Sequence, residues 1–220
     1  MSAQAELLKA YDVSSIELVV NGRRFSFYIP RTIARFIHPD SPLEGFPIWA
    51  KIWQGGILLA GRLAEMAPQS DRHLLEIGTG LGVVGIVAAA FGHRVTLTEN
   101  NPDALNFARA NLEINGCPHA AIEYLDWQRP QLAGRFGMII GSEVIYRKHD
   151  VEYLLTLFRR YLEPGGQVLL AESVRETGLY FWERMQEHFQ VKVRKQTLRS
   201  QEDTTHLVLF DLQAPSQEKR

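Results

Sequence analysis

Cysteine is nearly absent: one residue, Cys117, in a chain of 220. A lone thiol excludes an internal disulfide and points to a reducing, cytoplasmic setting. A dominant charge is absent too. Lys and Arg number 24 against 25 Asp and Glu, for a net of -1, so the electrostatic footprint of a nucleic-acid binder is missing. The densest basic groups, Arg159-Arg160 and Lys192 to Arg199, read as solvated faces. No apolar run approaches the roughly 20 residues of a membrane span, and the opening MSAQAELLKAYD has neither the basic nor the apolar region of a signal peptide. Neither nucleic acid nor membrane is therefore expected as a partner. His38, His73, His93, His119, His149, His188 and His206 show no metal-ligand spacing, so solvated or capping roles are expected and no metal. Repeats and interdomain linkers are missing as well. Residues 1–220 read as one domain, with an extension over 1–45, a core over 46–212 and a disordered tail over 213–220.

What the chain does have is the run Leu74-Leu75-Glu76-Ile77-Gly78-Thr79-Gly80-Leu81-Gly82. An apolar strand reaches an acid and opens into three glycines at alternate positions. An apolar helix follows, Val83 to Phe91, and then a second strand, Val95 to Thr98, that delivers Glu99. A glycine turn between strand and helix lets a ligand lie against bare backbone. An acid at the tip of the next strand is placed for a ribose hydroxyl pair.

Two cofactors suit that arrangement. Gly80-Leu81-Gly82-Val83-Val84-Gly85 matches the dinucleotide pattern G-x-G-x-x-G, whereas acid-x-Gly-x-Gly-x-Gly suits S-adenosylmethionine. Glu76 weighs for the second. Beside a pyrophosphate, its like charge at about 4–6 Å would cost a few kcal/mol. Beside a sulfonium and an α-ammonium the same charge attracts. A nicotinamide-dependent oxidoreductase remains the alternative.

Organisation follows from periodicity. Ile16 to Val20 and Arg23 to Ile29 flank Asn21-Gly22, the signature of a β-hairpin with a type I′ turn. Pro39, Pro42 and Pro47 mark an irregular stretch, and Trp49 to Met66 has one apolar helical face that Gly55-Gly56 interrupts. Strands are expected near 73–77, 94–98, 121–125, 136–141, 167–172, 190–198 and 205–211, with helices near 82–91, 102–115, 150–162 and 178–189. Pro164-Gly165-Gly166 reads as the turn into the fifth of these strands. The alternation predicts an α/β fold: a Rossmann-like, seven-stranded, mostly parallel sheet with helices on both faces, plus the N-terminal hairpin. The last two strands have only the loop from Arg199 to Asp203 between them, so the last must run antiparallel.

This set of motifs resembles the class I, seven-strand, S-adenosylmethionine-dependent methyltransferases over roughly residues 45 to 212. The resemblance implies that Glu76, Gly78, Thr79, Gly80 and Gly82 surround the methionine portion, and that Glu99, with Asn100 beside it, takes the ribose. It implies adenine contacts at Asp126 and Trp127. From the residues alone, Asp126 also reads as a turn cap and Trp127 as core. Phe46-Pro47-Ile48-Trp49-Ala50-Lys51-Ile52-Trp53-Gln54-Gly55-Gly56 is similar to a segment of the lysine methyltransferase family 16 group, nearest there to members acting on the electron-transfer flavoprotein β subunit. That likeness places Trp53 near the adenosine. Ser142-Glu143-Val144-Ile145-Tyr146 falls where this group carries Asp-x-x-Tyr, the pair facing the substrate amine, with Glu143 one methylene longer than the group's Asp. Ser142 joins the cofactor set.

The implied reaction is methyl transfer from S-adenosylmethionine, leaving S-adenosylhomocysteine, to a nitrogen. The expected partner is a protein with an accessible lysine or, alternatively, a small-molecule amine. Holding a lysine neutral at pH 7 costs about 4–5 kcal/mol. An ordinary carboxylate is a poor base for that proton. Glu143 is expected to orient the nitrogen by a charge-assisted hydrogen bond, and Tyr146 to face the methylated cation with its ring. A helix-entry acid and a core aromatic are the plainer readings of the two.

Overall fold

A computed structural model describes residues 1–37, 40, 46–199 and 204–215. The expectations concerning His38, Pro39, Pro42, the 200–203 part of the last loop and the tail beyond Pro215 lie outside the described residues. In chain order the elements are α1 (Ala3–Ala10), β1 (Val13–Val20), β2 (Arg23–Pro30), α2 (Gln54–Glu65), β3 (His73–Ile77), α3 (Val83–Ala90), β4 (Arg94–Glu99), α4 (Pro102–Ile114), β5 (Ala121–Tyr124), β6 (Phe136–Ser142), α5 (Lys148–Tyr161), β7 (Leu162–Ser173), α6 (Glu176–Met185), β8 (Gln190–Arg199) and β9 (Thr204–Gln213). Short 3-10 turns cover Ala34–Phe36 and Ile48–Ala50. Among the described residues no helix is long and apolar enough to cross a membrane.

Seven strands form one sheet in the order β5-β4-β3-β6-β7-β9-β8. Neighbours from β5 to β7 are parallel, and β9 lies antiparallel between β7 and β8. The chain steps outward from β3 to β5, then crosses back to lay β6 on the other side of β3. Such a reversal opens a crevice at the carboxyl ends of the two central strands. Glu76-Ile77 and Ser142-Glu143 end at that crevice. One face of the sheet is covered by α2, α3 and α4, where Leu59, Leu63, Ile86 and Phe107 are fully buried. The other is covered by α5 and α6, around Leu154, Phe158 and Phe181. Each such side chain contributes about 1.5–3 kcal/mol by leaving water.

The β1–β2 hairpin turns at Asn21-Gly22, both at positive φ as a type I′ turn requires. It forms a separate two-stranded sheet on α4. Asn111 of that helix accepts the Tyr28 N–H (2.6 Å) and donates to the carbonyls of Tyr28 (3.1 Å) and Leu81 (2.9 Å). One buried amide therefore ties the hairpin to the glycine-rich turn.

Three local expectations need correction. The helix expected from Trp49 to Met66 begins at Gln54, after a 3-10 turn and a short link in which Lys51 and Trp53 are extended. Gly55-Gly56 do not interrupt it; they form its buried first turn. Pro164-Gly165-Gly166 is a bulge inside β7, which starts at Leu162 and shifts register against Phe136 and Met138. Of the two roles expected for the histidines, His93 takes the capping one: it is buried, with its Nε2 3.0 Å from the carbonyl of Leu63 in the last turn of α2. The helix α1, capped by Ser2, went unforeseen because its apolar face is little more than Leu7.

Candidate active site

At the crevice lies a cavity of about 450 Å³. Its floor is the turn after β3. Gly78, Gly80 and Gly82 all take left-handed backbone (φ 62°, 54° and 88°), which explains glycine at alternate positions. A Cβ on Gly80 would sit 3.3 Å from the Trp49 carbonyl oxygen, so this backbone is walled by the Ile48–Ala50 turn. Trp49 is itself held by Phe36 and Phe107, with ring centroids 4.9 and 5.5 Å away.

Most of the residues assigned to the cofactor meet here. Trp53, Gly78, Thr79, Gly80, Glu99, Asn100, Asp126, Trp127 and Ser142 line the cavity, together with Glu143 and Tyr146. Trp53 is fixed by its indole N–H, which donates to the Ile48 carbonyl (2.8 Å), and Lys51 lies over its ring. Glu99 accepts the N–H groups of Gly80 (3.0 Å), Asn100 (2.8 Å) and Asn101 (3.1 Å). A carboxylate accepts about four bonds, so one site remains for a ligand hydroxyl. Asp126 accepts the Gln128 N–H (2.9 Å), which caps its turn while the residue still lines the cavity.

Glu76 and Gly82 are not among the lining residues. Glu76 lies beneath the floor, 2% exposed, accepting Thr79 Oγ1 (2.5 Å) and the Gly85 N–H (3.0 Å) through one oxygen. Burial pushes its carboxyl up to about 8, against the effect of those two hydrogen bonds. Burial thus favours its neutral form. The charge that favoured a cationic cofactor over a pyrophosphate is thus not presented to the cavity by Glu76, which braces the turn instead. A Cβ at Gly85 would collide with this carboxyl and with Leu97.

The opposite wall follows β6. Glu143 sits at φ 51°, a left-handed conformation rare for a side chain of its size, and is 4% exposed. Its N–H donates to the Ala171 carbonyl (2.9 Å), while Ser173 Oγ and Arg175 donate to its two oxygens (2.6 and 2.7 Å). Gly55 makes room for it, since a Cβ there would lie 2.9 Å from Glu143 Oε1. Beside it Glu172, also buried, accepts the N–H groups of Val144 (2.8 Å) and Ile145 (3.3 Å). Its carboxyl is pushed up to about 8 by burial, with the Glu143 charge adding to the effect. Tyr146, half-buried, has its phenol raised by burial and by the Glu172 and Glu143 charges. At the mouth stand Arg147, His149, Asp150 and Tyr153, where His149 pairs with Asp150 (3.1 Å).

Sequence reasoning missed Gly55, Glu172, Ser173 and Arg175. All four lie far in sequence from Glu143, and only the pairing of β6 with β7 and the docking of α2 bring them together. The cradle fits S-adenosylmethionine: backbone bared by glycine, an acid with a spare lone pair, and an aromatic, Trp127, whose ring lies beside Gly78.

Comparison with known proteins agrees. A family model described as lysine methyltransferase matches residues 44–195. "Protein N-lysine methyltransferase METTL21A" of Mus musculus is 33% identical over 135 residues, covering 57% of this chain and 61% of that protein. "EEF1A lysine methyltransferase 3" of Mus musculus is 28% identical over 152 residues, covering 66% and 65%. The chain thus spans about three fifths of the length of these curated relatives. Among solved structures, the N-methyltransferase NodS from Bradyrhizobium japonicum WM9 in complex with S-adenosyl-L-homocysteine has a TM-score of 0.59 at 17% identity. It covers 84% of this chain and 97% of its own. P. horikoshii TYW2 in complex with MeSAdo has a TM-score of 0.62 at 16% identity, covering 94% and 73%. At such identities the two structures bear on the fold alone.

Proposed function

We propose, from the premise that this chain belongs to the lysine methyltransferase family, that it methylates the side-chain amine of a lysine in a protein substrate. Family membership makes S-adenosylmethionine the cofactor, and the nicotinamide alternative finds no support. One observation carries the reading of the site: the glycine-floored cradle and the Glu143–Tyr146 pair line a single cavity.

When bound, S-adenosylmethionine supplies a methyl group on a sulfonium sulfur, open to in-line attack by a nitrogen lone pair. The chain's own part is alignment and exclusion of water. The backbone from Gly78 to Gly80 receives the methionine portion, Glu99 the ribose, Asp126 and Trp127 the adenine, and Trp53 closes over the adenosine. Glu143 and Tyr146 face the acceptor. Both Glu143 oxygens already accept a hydrogen bond, so this acid orients the amine with a remaining lone pair, and the lysine proton leaves to water. The Tyr146 ring receives the methylated cation. With Cys117 buried and alone, a reducing cytoplasm remains the setting we assign.

The test is incubation with tritiated S-adenosylmethionine and a cell extract, followed by separation of proteins from small molecules and acid hydrolysis of the protein fraction. Label recovered as methyllysine is expected. Label confined to the small-molecule fraction would replace the protein acceptor with a small amine.

A further inference from the structure

Arg175 stands at the N-cap of α6, outside the residues that line the cavity, yet it touches both residues assigned to the acceptor. Its Nη2 donates to Glu143 Oε2 (2.7 Å), and its guanidinium carbon lies 5.0 Å from the centroid of the Tyr146 ring. Nη1 is 3.9 Å from Glu172 Oε2 and, among the described residues, is the buried side-chain polar atom left with no hydrogen-bond partner. Ser173 holds the other Glu143 oxygen.

The orphaned Nη1 is informative. A guanidinium placed only to satisfy charge would engage two acceptors as a fork. Here one nitrogen forgoes its bond, while the other stays on Glu143 and the cation stays over the tyrosine ring. Three restraints, namely Arg175, Ser173 and the left-handed backbone, converge on one carboxylate that an unassisted glutamate would sweep through many rotamers.

Resting on the reading of Glu143 and Tyr146 as the acceptor pair, we infer that Arg175 is a positioning residue for methyl transfer. From behind the cavity wall it fixes the Glu143 carboxylate and the Tyr146 ring in one geometry for the incoming nitrogen. It also balances the Glu143 charge. The pocket then selects a nitrogen by the direction of its lone pair more than by net negative charge, which suits the neutral amine that must react. Among the described residues, the charged and titratable groups recorded against Glu143 are Glu172 from β7, Tyr146 after β6 and Arg175 from α6, and Gly55 of α2 packs against it.

The experiment compares full-length Arg175→Gln and Arg175→Lys with the parent chain. S-adenosylhomocysteine affinity by calorimetry should stay within about twofold in both. In Arg175→Gln, kcat for methyllysine formation should fall about a hundredfold with a smaller change in KM. Arg175→Lys should recover part of the lost turnover. Carbon-13 NMR of the Glu143 carboxyl, assigned through Glu143→Gln, gives a readout free of turnover, and its resonance should be displaced in Arg175→Gln, where the 2.7 Å contact is lost. Unchanged kcat, an unmoved carboxyl resonance or lost S-adenosylhomocysteine affinity would each overturn the inference. If the parent chain forms no methyllysine but the resonance still moves, the coupling stands and the lysine reading fails.

Discussion

Glu76 and Glu172 hold the two walls of the cavity in the same way and differ in how far they reach along the chain. Each ends a buried strand, each is pushed up to about 8 by burial, and each spends its carboxyl on backbone or hydroxyl donors of a turn. Glu76 binds Thr79 and Gly85, three and nine residues on. Glu172 binds Val144 and Ile145, which lie 28 and 27 residues before it. The floor under the cofactor is a local motif and reads as one in sequence. The acceptor wall is a tertiary assembly, and nothing in sequence shows that Glu143, Ser173 and Arg175 share a charge network.

The largest effects should separate the walls completely. Glu143→Ala is expected to lower kcat about a hundredfold or more, by freeing the acceptor nitrogen from its orienting bond. Affinity for S-adenosylhomocysteine should stay nearly unchanged. Glu99→Ala should do the converse, lowering that affinity about tenfold to a hundredfold as a charged acceptor and the order of three N–H groups are lost. Calorimetry beside steady-state kinetics reads both. A Glu143→Ala chain that no longer binds S-adenosylhomocysteine would merge the two walls into one site.

Next come the glycines. Gly85→Ala drives a methyl group into Glu76 and Leu97, with an expected loss of about 1–3 kcal/mol in denaturant unfolding. Gly55→Ala meets the Glu143 carboxylate and the Ala171 carbonyl. It should reduce turnover more than it lowers the unfolding midpoint, since the carboxylate can yield where the backbone cannot. Asn111→Ala strips partners from Tyr28 and Leu81 and should cost about 1–3 kcal/mol. A loss of S-adenosylhomocysteine affinity in the same variant would show that the hairpin steadies the cofactor floor.

Legibility followed the same division. The sheet, its antiparallel last strand, the hairpin turn and the glycine floor were all carried by periodicity or by residues within about ten positions of each other. The role of Gly55-Gly56 was not. Glycine costs a helix about 1 kcal/mol per residue, so a pair reads as an interruption until Glu143 and Ser142 are seen pressing on it. For His93 the sequence left solvated and capping roles open, and only the docking of α2, which supplies the Leu63 carbonyl, decides for the second. Glu76 stands where the glycine motif places an acid, but its burial, not its charge, decides what it does there.

The smallest effect tests that last point. Glu76→Gln replaces a carboxyl that is chiefly protonated in the folded chain by a neutral group of nearly the same shape, whose oxygen can still accept from Thr79 and Gly85. Below about 4.5, where the folded and the unfolded parent both keep the proton, stability should change little. The sign follows from linkage. The folded carboxyl titrates at about 8, raised from an ordinary 4.5, so between those values the unfolded chain has released a proton that the folded chain retains. Each pH step upward in that window favours unfolding, and the contribution levels off above about 8. Glu76→Gln lacks this proton and should lose less stability than the parent as pH rises. Glu172→Gln should behave likewise for its own carboxyl, also at about 8. Denaturant midpoints at pH 6 and pH 8.5 give the comparison. Parallel lines for parent and Glu76→Gln would mean that the carboxylate is already ionised beneath the glycine floor, restoring to it the direct attraction for a cationic cofactor.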